Sequence, residues 1–282
     1  MPVTTLSDGR RVAYEVMGDP NGRPVVALHG TPGSSRQLAC LDKPARDHNI
    51  ALIVPDRAGY GGSTHDPSRT IASSARDLGR LIDQLSLPDA AVIGLSGGGP
   101  TALACGVVLQ GRISSVTTVG SIAPLVPRDP SLPPDRFITR TARRSQAAAT
   151  ALFAVMVFAG RRRPEQTVDR FCTLLAEPDA RLLRDDPTVR NAFLDDLRRP
   201  SPTTARAAAR DFWVFTRRWD IELSAVTVPL HVWHGTEDRN VPVAHGRVIA
   251  AACPTARLHL IPGGGHMLLS NLEEIIGAMR QV

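Results

Sequence analysis

Apolar and polar positions follow two rhythms along this chain, and the rhythms alternate. Short runs rich in β-branched residues, 24–28 (PVVAL), 50–54 (IALIV), 90–94 (AAVIG) and 113–119 (ISSVTTV), are nearly continuously apolar. Such runs are expected of parallel strands covered on both faces. Between them lie 34–47, 71–85 and 99–109, which read as helices. In the second, Ile71, Ala75, Leu78, Ile82 and Leu85 make one apolar helical stripe. Strands alternating with helices imply βαβ units and a parallel sheet with right-handed crossovers. Residues 11–17 (RVAYEVM) predict an antiparallel strand or hairpin at one edge of that sheet.

The alternation stops at about Leu125. From there to Asp220, prolines punctuate helical stretches and no clear strand signal appears. Strand signals return at 229–233 (PLHVW) and 256–261 (ARLHLI), followed by a last amphipathic helix near 271–280. The expected organisation is one α/β core domain, residues 1–124 and 221–282, interrupted by a helical insertion at 125–220. A length of 282 residues suits one such domain better than two independent ones.

Composition changes this picture in only two places. With 43% hydrophobic and 21% charged residues the chain is ordinary for a soluble globular protein, which excludes global disorder. The most apolar stretch, 147–159 (AAATALFAVMVFA), falls short of the ~20 residues that a membrane span needs. The N-terminus carries no apolar export segment. Cys40, Cys105, Cys172 and Cys253 are far apart with no C-x-x-C pair, and read as buried thiols rather than disulfides or a metal site. A cytoplasmic location is the expectation. The net charge of +6 sits in the insertion, where 18 Arg and no Lys face 12 acidic residues. These arginines are interleaved with carboxylates, as in Arg184-Asp185-Asp186, so an ion-paired helical face is expected and a nucleic-acid partner is not. The excess also points to an anionic substrate, gripped bidentately by one of them.

The chemistry gathers at loops that follow strands. Gly94-Leu95-Ser96-Gly97-Gly98 is G-x-S-x-G where a strand ends and a helix begins. A nucleophile elbow needs small neighbours there, because the turn is sharp and the serine backbone is strained. A serine hydroxyl needs an adjacent base. Of the eight histidines, His266 is best placed, in Pro262-Gly263-Gly264-Gly265-His266 after the final strand. The imidazole in turn needs an acid to fix its tautomer. Asp238, in His234-Gly235-Thr236-Glu237-Asp238 after the penultimate strand, is preferred over Glu237. His231, His234 and His259 fall in or at the ends of strands, where packing is the ordinary role.

These motifs, with His29-Gly30-Thr31-Pro32-Gly33 after one strand and Asp56-Arg57-Ala58-Gly59-Tyr60-Gly61-Gly62-Ser63 after the next, resemble those of the α/β-hydrolase superfamily. The chain order Ser96, Asp238, His266 is similar to the order found there. The likeness runs from about Arg11 to Pro124 and from Val226 to the end, and is to a capped serine hydrolase of esterase type. It implies an α/β-hydrolase fold, a mostly parallel eight-stranded sheet flanked by helices, with 125–220 as a helical cap. It implies a catalytic triad of Ser96, Asp238 and His266, and an oxyanion hole made by the Thr31 and Gly97 amides. The D-x-x-G-x-G-x-S loop is usually structural, so Asp56 stays out of the catalytic set. His29, Leu95, Phe153, Phe158 and Met267 are the candidate lining of a substrate pocket, although a plain buried cap helix explains 147–159 equally well. Serine at the elbow excludes the dehalogenase and epoxide-hydrolase relatives, which use Asp there. The expected substrate is a small molecule with a carbonyl group: an ester, thioester, lactone, amide or cleavable C–C bond. No metal or other cofactor is expected, and assembly as a homodimer stays open. The alternatives are a prolyl aminopeptidase, whose relatives read HGGPG and G-x-S-W-G where this chain has Thr31 and Gly97, and a lyase, cyclase or small-molecule receptor on the same scaffold.

Overall fold

The computed structural model describes residues 1–124 and 136–279. The start of the expected insertion, 125–135, and Arg280 in the expected last helix lie outside the described residues. Eight strands form one sheet: β1 (Val3–Thr5), β2 (Arg11–Gly18), β3 (Arg23–Leu28), β4 (Ile50–Pro55), β5 (Ala90–Leu95), β6 (Ile113–Val119), β7 (Leu230–Gly235) and β8 (Ala256–Ile261). Their order is β1-β2-β4-β3-β5-β6-β7-β8. Strands β3 to β8 run parallel, and β1 and β2 close one edge antiparallel.

The apolar runs become strands because both of their faces are covered. In β3, Val26 and Leu28 join a cluster with Ile71, Ala75, Leu78 and Ile82, whereas Val25 and Ala27 join one with Leu272 and Ile275. Alternate residues of one strand thus feed two cores, as the pleat requires. The helices of this sheet region are α1 (Asp42–Asp47), α2 (Ile71–Gln84) and α3 (Gly99–Val108). Helix α2 starts at a capping box, with the Thr70 and Ser73 side chains and amides bonded reciprocally.

The chain between β6 and β7 contains α4 (Arg136–Arg144), α5 (Gln146–Arg162), α6 (Pro164–Cys172), α7 (Glu177–Asp185), α8 (Pro187–Arg198) and α9 (Thr204–Phe215). No strand occurs among the described residues there. The core resumes with β7, α10 (Ala244–Ala252), β8 and α11 (Leu272–Ala278).

One expected helix is two pieces. Residues 34–47 form a 3-10 turn, Ser35–Leu41, and then α1. Pro44 has no N–H to give to a continuing helix, so it fits only in a first turn and forces a new start at Asp42. All four cysteines are free thiols, and Cys40 is only half-buried where full burial was expected.

Sheet order decides where chemistry can happen. Strand β4 lies on one side of β3 and β5 on the other, so the loops after β3 and β5 part over a crevice at their carboxyl ends. Leu28 pairs with Gly94, which sets 29–31 beside 95–97. Gly235 pairs with Ile261, which sets the loops carrying Asp238 and His266 side by side.

Candidate active site

Ser96 stands at the turn from β5 into α3 with φ of 51°, in the left-handed region that side-chain-bearing residues avoid. The packing around the turn explains how this is held. A Cβ on Gly94 would lie 2.7 Å from the Gly98 carbonyl oxygen, and one on Gly98 would collide with the Leu28 carbonyl oxygen. Strand, turn and helix can therefore meet only with glycine at these places, and Ser96 is left half-exposed above the sheet.

His266 Nε2 lies 2.9 Å from Ser96 Oγ, and its Nδ1 lies 2.8 Å from Asp238 Oδ2. The other carboxylate oxygen, Oδ1, accepts the Asn240 and Val241 amides, both at 2.8 Å. Asp238 is thus fixed by the backbone of its own loop, while Oδ2 is left for the imidazole. Burial alone would lower the His266 pKa, but the charge and hydrogen bond of Asp238 outweigh it, so His266 stands above its ordinary value. Burial would raise Asp238, yet His266 and the bonds donated to it hold the carboxyl well below the usual carboxylate range.

His234 is a partner that its place in a strand did not disclose. Its Nε2 donates to the Val241 carbonyl oxygen at 2.9 Å and lies 3.2 Å from Asp238 Oδ2. The shorter contact, to the carbonyl, is the primary bond. From α7, Asp179 accepts the Met267 amide at 2.8 Å and so braces the loop that carries His266.

Thr31 packs on Gly97, where a Cβ would collide with Thr31 Oγ1 and come within 3.2 Å of the Thr31 nitrogen. Gly97 is the second residue of the helical run that starts at Ser96, a first-turn position whose N–H has no acceptor within the helix. The Thr31 hydroxyl donates to Asp211 Oδ2 at 2.6 Å and accepts from Arg57 Nη2 at 2.6 Å. Asp211 belongs to α9 and also receives Arg57 Nη2 at 2.9 Å, the Tyr60 hydroxyl at 2.7 Å and Arg69 Nη2. Arg57 reaches the carbonyl oxygens of His29 and Gly30 at 3.0 and 2.8 Å. Burial works against the Asp211 charge, but Arg57 and Arg69 hold the carboxyl far below its ordinary range. No local pattern singled out this group, because Asp211 is one acid among 12 in the Arg-rich segment. The nearest signal was the loop motif that contains Arg57 and Tyr60.

The expected pocket residues scatter. His29 is fully buried: its Nε2 accepts the Arg57 amide at 3.0 Å and its Nδ1 donates to the Gly30 carbonyl oxygen at 2.9 Å. Burial and the Arg57 charge push its pKa down to about 3, so it is a neutral brace and not the pocket wall expected of it. Phe158 also departs from expectation, lying exposed on α5 with the Arg162 guanidinium over its ring. Phe153 is buried against Tyr60, Ala149 and Ala208, with Phe212 at 5.5 Å between ring centres. Leu95 and Met267 are half-buried beside Ser96 and His266 in the chain. Among the described residues, no group of three or more His, Cys, Asp or Glu could hold a metal ion.

Comparison with known proteins agrees with this fold. The family described as alpha/beta hydrolase fold matches residues 23–271. The chain belongs to the α/β-hydrolase fold family. A non-heme haloperoxidase of Rhodococcus erythropolis is 27% identical over 293 residues, covering 99% of this chain and 97% of the relative. An α/β-hydrolase fold protein from Nakamurella multipartita superposes with a TM-score of 0.72 at 22% identity, over 99% of each chain. A thermophilic esterase from Thermogutta terrifontis does so at 0.68 and 24% identity, over 99% of this chain and 95% of its own. At such identities the solved structures speak for the α/β-hydrolase fold alone, and family membership supports a hydrolase-type enzyme.

Proposed function

We propose that this α/β-hydrolase is a serine hydrolase that cleaves a small ester, or a thioester, lactone or amide, through an acyl-enzyme on Ser96. The observation that carries the reading is the unbroken line from Ser96 Oγ through His266 to Asp238, with contacts of 2.9 and 2.8 Å. Nδ1–H donates to Asp238, so Nε2 is free to take the serine proton. Ser96 Oγ then attacks the carbonyl carbon, and the tetrahedral oxyanion is held by the Thr31 and Gly97 amides. His266 returns its proton to the leaving alkoxide or amine. Water, deprotonated by His266, attacks the acyl-enzyme, and the acid and free Ser96 are released. We assign residues 125–220 as the cap over this site. Asp179 and Asp211 from that segment, bonded to the loops of His266 and Thr31, support the assignment. Catalysis on this route draws on no cofactor, and we place the protein in the cytoplasm.

Mixing enzyme with p-nitrophenyl butyrate should release a burst of p-nitrophenol equal to the enzyme added, followed by a slower steady rate. A linear trace without a burst, together with no labelling by a fluorophosphonate, would remove the acyl-enzyme.

The acid limb of kcat/KM should lie above pH 6.5, the ordinary histidine value. The raised His266 must lose its proton to act as base, so activity falls as pH drops through its pKa. Asp238→Asn removes the charge that raises His266. It should move the limb to lower pH and cost kcat on the order of 10,000-fold. A limb that stays put in Asp238→Asn would separate Asp238 from His266.

A further inference from the structure

Helix α5 turns most of its apolar sequence away from the protein. Of its 17 residues only Ala149, Phe153 and Gly160 are fully buried. Val155, Phe158 and Met156 are 67%, 61% and 43% exposed. With Ala151 and Ala154 exposed beside them, Val155 and Phe158 form one outward stripe on a helix about 25 Å long. Exposed arginines bracket this stripe, Arg143 and Arg144 before it and Arg161, Arg162 and Arg163 after it.

The charge around α5 differs from the rest of the Arg-rich segment. Elsewhere in the segment several arginines meet carboxylates: Arg184 meets Glu177, Arg190 meets Asp169, Arg198 meets Glu165 and Arg199 meets Asp195. From Arg136 to Arg163 the sequence holds no Asp or Glu at all, and among the described residues none of the five flanking arginines is in an ion pair. Basic residues at helix C-termini complement the helix dipole. That does not account for a neighbouring Phe and Val left in water, nor for the missing acids. The Arg162 guanidinium, 5.2 Å from the Phe158 ring centre, sits directly on the apolar stripe.

We propose that α5 and its flanking arginines form a docking face for an anionic phospholipid surface. An apolar stripe edged by arginines matches a bilayer boundary, where alkyl and aromatic groups enter the acyl region and guanidinium groups meet phosphate. A second copy of this chain fits the face less well. Antiparallel pairing of two α5 helices sets Arg143–Arg144 against Arg161–Arg163, parallel pairing sets like ends together, and no acid on either helix answers them. The helix is too short to cross the bilayer, so it lies in the boundary. The inference stands apart from the reading of Ser96.

The test is co-sedimentation of the full chain with vesicles of phosphatidylcholine, with and without phosphatidylglycerol. The chain should bind only the phosphatidylglycerol vesicles at about 0.05 M salt and let go at about 0.5 M. Arg161→Glu, Arg162→Glu and Arg163→Glu together should weaken binding on the order of 100-fold, about fivefold for each arginine near an anionic surface. Val155→Asp should weaken it at least about tenfold, since the valine would no longer enter the apolar region. Both variants alter exposed positions and should keep the wild-type melting temperature. No binding to phosphatidylglycerol vesicles at low salt overturns the proposal. So does undiminished binding by Val155→Asp, which would leave only nonspecific charge attraction. A wild-type dimer in light scattering that Val155→Asp makes monomeric, without vesicle binding, gives the face to a second copy and equally overturns it.

Discussion

Ser96→Ala should lower kcat on the order of 100,000-fold or more and abolish fluorophosphonate labelling, while leaving the fold intact. The size follows from the role: without Oγ there is nothing for His266 to deprotonate and no covalent intermediate. What remains is the orientation and oxyanion binding supplied by Thr31 and Gly97, on the order of 1,000- to 10,000-fold over water. The fold survives for a separate reason. Alanine carries the same Cβ into the φ of 51° and adds no new clash, and Ser96 is half-exposed, so removing Oγ empties no core. Stability should change by no more than about 0.5 kcal/mol. Steady-state turnover of p-nitrophenyl butyrate, urea unfolding and probe labelling on one preparation make the check. Turnover within tenfold of wild type would sink the nucleophile assignment.

Asp211→Asn should be the most destabilising isosteric change near the site, and should also lower kcat. Asp211 is the anion that two buried cations, Arg57 and Arg69, share. Removing one partner of a buried pair leaves an uncompensated charge, at about 3–5 kcal/mol. That is a large part of the roughly 5–15 kcal/mol that holds a domain together. The pH dependence gives a sign to check. The folded carboxyl titrates below its unfolded value, so its contribution is fully present above about pH 4. It is lost as pH falls through the folded pKa. The gap between wild type and Asp211→Asn in urea unfolding should therefore be widest near neutral pH and narrow in acid. A gap that does not change with pH would mean that the Asp211 charge is not what matters.

The effect on kcat comes through Thr31, whose hydroxyl bridges Asp211 and Arg57. If Asp211→Asn does not fold, Thr31→Val carries the test. It keeps the shape and removes the bridge, and should cost kcat about tenfold with KM little changed, the size of one hydrogen bond. Thr31→Ser keeps the oxygen and should stay near wild type. Equal rates for the valine and serine variants would leave Thr31 with its amide alone.

Much of this was legible in the residues. Strands β4 and β5 fall within one residue of where their apolar runs predict them, because a strand buried on both faces must be nearly continuously apolar whatever surrounds it. The elbow was legible too, since a turn as tight as that at Ser96 admits almost nothing but glycine at 94 and 98. The helix expected over 34–47 failed on one residue, Pro44, which acts through its missing N–H and not through polarity. The 147–159 run was misleading for the opposite reason. Composition records that α5 is apolar but not which way it faces, and Phe153 and Phe158 differ by the rotation between them.

The sequence by itself determined what depends on near neighbours: the period of each element, the strained turn at Ser96, and the loops after strands where Thr31, Asp238 and His266 had to lie. The tertiary structure alone decided the partnerships. Ser96 and His266 are 170 positions apart and meet because β5 and β8 share one sheet with a fixed register. Asp211 could have answered any of 18 arginines in its own segment, yet it meets Arg57 and Arg69 from the core. Its partner is set by which cation is buried beside it without water, and burial at that depth comes from packing α9 against the core loops, which no local pattern of residues encodes.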